Sequence, residues 1–204
     1  CTPSFSDNFP GPTTHIAYQQ CLINRAYLQK NMHLYTNIIF AGAWDDALAQ
    51  HQLENIKQVI KRAADLKINV FIMPAPQRYK HNPLRIFYRR FYINQPFDIS
   101  ELTNNDITTL EANQSLLRFS EKYNNVHFLK REWLYNENNT FLIDGIAIPY
   151  SLDGKHISIL GAQYSAQYFM HSDRSYEHYK YIMKQFNFEY SSESSARHSL
   201  ILAK

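Results

Sequence analysis

Two short, mostly apolar runs constrain this chain more than any other feature: Thr36-Asn37-Ile38-Ile39-Phe40-Ala41-Gly42 and Ile68-Asn69-Val70-Phe71-Ile72-Met73. Runs of this length without alternation suit strands covered on both faces, as at the centre of a parallel sheet. Between them Ala47, Leu48, Leu53, Ile56, Val59, Ile60 and Ala63 recur at helical spacing, which predicts one long helix capped by Asp45 or Asp46 and reaching about Leu66. Pro74 and Pro76 stop the second run. Val126-His127-Phe128-Leu129 supplies a third strand. Strand and helix alternating at this interval predict a three-layer α/β fold, with a mostly parallel sheet and helices on both faces.

The remaining segments fit around that core. The apolar positions Ile16, Ala17, Cys21, Leu22, Ala26 and Leu28 predict a helix from about Thr14 to Met32, after a Pro- and Ser-rich lead-in. Residues 74–103 show no clean period and read as a long excursion holding a short helix around Leu84–Tyr92. A helix from about Asp106 to Tyr123 opens at Asn104 or Asn105 and ends at Asn124-Asn125. Thr140–Ile143 and Ile146–Tyr150 follow a polar loop, and Ser158 is placed to cap a helix from Ile159 to about Met170. Helix is expected to continue towards Tyr190, with 191–204 as a loosely held tail. The 204 residues suffice for one domain or for two very small ones; a single domain over 1–190 is expected.

A formal net charge of +3 gives no electrostatic case for a nucleic-acid partner. No apolar run approaches the roughly 20 residues that cross a bilayer. The 5 glycines are isolated, so no loop cradles a phosphate and no nucleotide cofactor is expected. The histidines form no zinc pattern, so no metal site is expected either. With Cys1 and no Met at its start, the chain is expected to continue upstream. Cys1 and Cys21 are its two cysteines. A bridge between them would imply an oxidising compartment and stabilise by roughly 3 kcal/mol; two free buried thiols also fit the spacing.

Chemistry concentrates in Tyr150-Ser151-Leu152-Asp153-Gly154-Lys155-His156-Ile157-Ser158-Ile159-Leu160-Gly161-Ala162. A carboxylate three residues before a histidine, in a turn opened by Gly154, can accept from the ring Nδ1–H. That fixes the tautomer and leaves Nε2 free to take a proton from a nucleophile. On its own, Asp-x-x-His recurs by chance in many proteins.

The whole segment resembles the Asp-x-x-His-hydrophobic-Ser-x-x-Gly-Ala signature of SGNH-type hydrolase domains. It is most similar to those fused to the C-terminus of membrane O-acyltransferases acting on bacterial cell-surface glycans. Cys1-Thr2-Pro3 with Cys21, the strand Ile38–Trp44 and the strand Val70–Pro76 match further blocks of that family, so the likeness spans roughly residues 1–168. The resemblance implies a flavodoxin-like α/β fold and Asp153 and His156 as catalytic residues. It also implies a Cys1–Cys21 disulfide, a periplasmic site at the inner membrane, a cell-envelope glycan as acceptor and an acyl group supplied by a membrane acyltransferase domain.

Two departures stand out. The family's Gly-Asp-Ser nucleophile block occurs nowhere in these residues. Its first strand is therefore expected to precede Cys1, or to be missing; without it His156 has nothing to activate. Esterase activity and non-catalytic glycan binding are the alternatives to acyl transfer. Gly42-Ala43-Trp44-Asp45 stands where general SGNH enzymes carry Gly-x-Asn-Asp, which makes Gly42 and Trp44 candidates for lining an oxyanion site. Trp44 could equally be a core aromatic at a strand end.

Arg85-Ile86-Phe87-Tyr88-Arg89-Arg90-Phe91-Tyr92 combines four aromatics with three arginines. Arg85, Tyr88 and Arg89 are candidate substrate contacts, since such a stretch can stack on sugars, hold an anionic glycan or lie on a membrane surface. A helix with aromatics in the core and arginines in water is the plainer reading.

Overall fold

A computed structural model describes residues 2–5, 16–76, 78–98, 102, 107–136, 140–171, 184 and 199–202. The chain divides into two compact units, Cys1–Ala75 with Leu110–Leu129 and Gln185–Lys204, and Pro76–Thr109 with Lys130–Lys184. Hydrophobic period reports which face of an element is apolar, not which elements share contacts.

The first unit holds a parallel sheet of β1 (Asn37–Phe40), β2 (Asn69–Ile72), β3 (Val126–Phe128) and β6 (Ser199–Leu202), in the order β3-β2-β1-β6. Val70, Phe71 and Ile72 of β2 are all buried, so this strand is covered on both faces, as its unalternated sequence requires. Every register pair of β1, β2 and β3 is parallel, with Ile38 opposite Val70 and Val70 opposite Val126. Residues 199–202, expected in a loose tail, instead pair with β1 along its outer edge, Asn37 to Ser199 and Phe40 to Leu202. An unpaired edge is a row of unsatisfied N–H and C=O groups, and a short β-prone segment answers it. The rest of the tail, the lead-in over 6–15, the caps at Asn104 and Asn105 and nearly all of 172–190 lie outside the described residues.

Helices α1 (Ile16–Asn31), α2 (Trp44–Ala49), α3 (Leu53–Asp65) and most of α5 (Ile107–Ser120) belong to this unit. The predicted single helix from Asp45 to Leu66 is broken in two. His51 adopts φ 56°, its N–H donates to Leu48 O at 3.0 Å and that of Gln52 to Ala47 O at 2.7 Å. These are the two bonds of a Schellman ending, with histidine in the place usually held by glycine. On α3, Ile56, Val59, Ile60, Ala63 and Ala64 are buried. Each large side chain among them contributes about 1.5–3 kcal/mol of burial. They share the core with Ile38, Phe40, Val70, Ile72, Trp44 and Leu116.

The second unit contains α4 (Pro83–Tyr92), α6 (Arg131–Leu134), a hairpin of β4 (Thr140–Ile143) and β5 (Ile146–Pro149), and α7 (Ile159–His171). Asp144 and Gly145 both have positive φ (50° and 81°), the geometry of a two-residue hairpin turn that Asp-Gly favours. Ser165 Oγ donates to Leu134 O at 2.7 Å, tying α7 to α6. Tyr135, Phe141, Tyr150 and Tyr164 pack ring against ring around β5.

Candidate functional site

The hairpin delivers the chain into residues 150–158, a loop closed at both ends. Tyr150 O accepts the N–H and the hydroxyl of Ser158, at 2.9 and 3.1 Å, and Ser151 bridges Ile157. Ser158 Oγ accepts from Gly161 N at 2.9 Å, the N-cap bond that starts α7. Gly161 has no alternative there, because a Cβ would overlap the Tyr150 carbonyl oxygen. Gly154 turns at φ 91° beneath the carbonyls of Tyr79 and His81. Gly154 O in turn accepts from Tyr79 N at 3.0 Å, and Leu152 O from Leu84 N at 3.1 Å.

Within this frame Asp153 and His156 meet. Oδ2 of Asp153 lies 2.6 Å from His156 Nδ1, while Oδ1 accepts from the main-chain N–H of Lys155 and of His156, each at 2.8 Å. Ser151 Oγ adds a bond to Oδ1 at 3.2 Å and accepts from Gly154 N at 2.9 Å. Burial opposes ionisation of Asp153, but the bonds from His156 and Lys155 outweigh it and hold the carboxyl well below the usual carboxylate range. The carboxylate is thus charged and oriented, and it fixes the histidine's Nδ1 side. The His156 side chain is 78% exposed, leaving its Nε2 side accessible. Chemically the pair can take a proton from a hydroxyl and hand it on.

Ser151 is the residue that the sequence reading missed. It is 2% exposed and couples the carboxylate to the Gly154 turn. The available signal was a hydroxyl two residues before the aspartate, in register to form such a turn. Below the loop, burial pushes the Tyr79 and Tyr135 phenols up to about 12, with the Arg131 guanidinium pulling the other way. Both therefore stay neutral near pH 7 and offer no base.

Gly42 and Trp44 sit in the first unit, the Asp153–His156 pair in the second. Trp44 is 2% exposed, and its indole N–H donates to Met73 O at 2.6 Å. That donor is committed to main chain, so the oxyanion role read for Trp44 is corrected to a packing one. Gly42 lies flat against the same indole, where a Cβ would come within 3.0 Å of a ring carbon. Arg85, Tyr88 and Arg89 lie on α4, whose first turn is bonded to the Asp153–His156 loop through Leu84 N. The plainer reading of α4 also fails: of its residues Pro83 alone is buried, and its aromatics face solvent.

Cys21 is buried and disulfide-bonded, while Cys1 lies outside the described residues. Among the described residues no group of three or more His, Cys, Asp or Glu could hold a metal ion, and no helix is long and apolar enough to cross a membrane.

No curated protein and no solved structure matches this chain. A family model does, over residues 1–171: the SGNH domain, described as fused to AT3 domains. That span includes both strand runs, the cysteine at 21 and the whole Asp153–His156 loop. The chain belongs to the family of SGNH domains fused to AT3 acyltransferase domains.

Proposed function

We propose that this chain is the acid–base part of an extracytoplasmic O-acyltransferase domain that passes an acyl group, acetyl in the simplest case, to a hydroxyl of a cell-envelope glycan. The observation that carries the proposal is the 2.6 Å contact between Asp153 and His156, in a loop that fixes the carboxylate with two main-chain amides. Asp153 orients the imidazole. His156 removes the proton from a serine hydroxyl as it attacks the donor's acyl carbon, and returns it to the leaving group. In the second half, His156 deprotonates the acceptor hydroxyl as it attacks the acyl carbon, and returns the proton to the serine oxygen as the acyl–serine ester bond breaks. The serine comes from outside these residues, since no Gly-Asp-Ser stands among them. The family's fusion to AT3 domains supports such a domain as the source of the acyl group. Pairing of Cys21 with Cys1, and a periplasmic location, belong to the same proposal.

One observation favours a second reading, ester hydrolysis: the exposed His156 is open to water, which competes with an acceptor for the acyl-serine. Both readings are tested in the complete protein. His156→Ala is expected to abolish acylation of the envelope glycan, and Asp153→Asn to lower it by about 10⁴-fold, as when a triad carboxylate is neutralised. Unchanged glycan acylation in His156→Ala would refute the assignment. Acyl-ester turnover unaffected by added glycan would favour the hydrolase.

A further inference from the structure

Helix α4 is turned the wrong way round for a globular protein. Leu84, Phe87, Tyr88, Phe91 and Tyr92 fall at i, i+3, i+4, i+7 and i+8, the stripe that ordinarily faces a core. Here all five are exposed, Phe91 at 68% and Tyr92 at 82%, and the partly covered residues are Ile86 and Arg90 instead. The rings touch one another, Phe87 stacking on Phe91 at 6.4 Å and meeting Phe97 edge-on at 5.7 Å, so the patch is continuous. The helix is nevertheless well made. Asn82 caps it by accepting from Arg85 N at 2.9 Å, Pro83 opens it, and Asn94 closes it at φ 52°.

The charge along the helix itself is basic, and the nearest carboxylate in sequence is Asp98. From Arg78 to Phe97 there are five lysines and arginines and no carboxylate. Arg90 Nη1 is held by Gln95 at 2.5 Å, while Arg85 and Arg89 carry no ion pair among the described residues and flank the aromatic stripe one turn apart. Exposed hydrocarbon bordered by unpaired cations calls for an occupant that is anionic outside and apolar beneath. A neutral carbohydrate could stack on these rings, but it would leave the charges of Arg85 and Arg89 unanswered.

We propose that α4 is a lipid-surface helix, laying Leu84, Phe87, Phe91 and Tyr92 into the interfacial layer of an anionic bilayer while Arg85 and Arg89 bind headgroup phosphates. Leu84 N is bonded to Leu152 O, and Pro83 Cδ would lie 3.6 Å from a Cβ on Gly154. Docking α4 therefore holds the Asp153–His156 loop at that surface, whichever reaction the loop performs.

The test is co-sedimentation of the 204-residue chain with vesicles of equal parts phosphatidylglycerol and phosphatidylcholine, and with phosphatidylcholine alone. Binding is expected to the anionic vesicles, falling as salt is raised. It should weaken about tenfold or more in Arg85→Glu/Arg89→Glu, given about fivefold per juxtamembrane cation. A comparable loss is expected in Phe91→Ser/Tyr92→Ser, whose thermal unfolding should match the parent because both rings are exposed. Failure to sediment with anionic vesicles, equal binding to both lipids, or full binding by either variant would overturn the proposal. So would capture by an acidic polysaccharide, lost in the same variants, with no vesicle binding.

Discussion

Four donors converge on the Asp153 carboxylate: two main-chain amides and a serine hydroxyl on Oδ1, and an imidazole on Oδ2. Because these bonds favour the ionised form, the folded carboxyl is depressed below its unfolded value. The stability they add is fully present above the ordinary carboxylate range, about 4, and is lost as pH falls below it. Urea unfolding of the parent and of Asp153→Asn is therefore expected to differ most near pH 7, the gap closing as the solution is acidified towards pH ~2. A gap that stays constant over that range would mean that the bonds do not depend on charge. The pairing itself was legible, since a three-residue spacing across a glycine turn brings a carboxylate to Nδ1. The burial of Ser151 was not, because nothing local says which hydroxyl the packing will enclose. Trp44 shows the same limit: the letters allow a donor aimed at substrate, and the fold spends it on Met73 O.

Three of the described helices, α2, α3 and α4, end without glycine. His51, Lys67 and Asn94 each take a left-handed conformation, φ 56°, 62° and 52°. After α3, Lys67 N donates to Ala64 O at 2.9 Å and Ile68 N to Ala63 O at 3.1 Å; after α4, Asn94 N and Gln95 N do the same to Phe91 O and Arg90 O. An L-residue in that region costs roughly 1–2 kcal/mol, most of which glycine avoids. Lys67→Gly is thus expected to raise the unfolding free energy by up to about 1 kcal/mol after glycine's own entropy cost, measured by chemical denaturation. A destabilised Lys67→Gly would show that the lysine side chain contributes more than the backbone strain costs. The break between α2 and α3 escaped the sequence for this reason: hydrophobic period runs through it, and histidine is not read as a stop. Side chains also finish what the strands leave open. Past the end of β2, Asn113 accepts from Ala75 N at 2.9 Å and donates to Ala75 O at 3.2 Å, standing in for a neighbouring strand.

At the scale of the whole molecule, the disulfide at Cys21 ties a buried position of α1 to another part of the chain. With Cys1 as its partner the closed loop is about 20 residues, worth roughly 3 kcal/mol in the chain-entropy model. Reduction is expected to lower the urea midpoint accordingly, and a midpoint that does not move would show that the tie adds nothing. The sequence by itself determined the parallel β1–β2–β3 core, the identity of its buried strands and the carboxylate–imidazole loop. These depend on apolar runs, proline stops and spacings of a few residues, which are local quantities. Tertiary structure alone decided the division into two units, the pairing of 199–202 with β1, the burial of Ser151 and the outward turn of α4's aromatic stripe. Each of these is a choice among partners distant in sequence, settled by which backbone groups and apolar faces remain unsatisfied once the rest has packed.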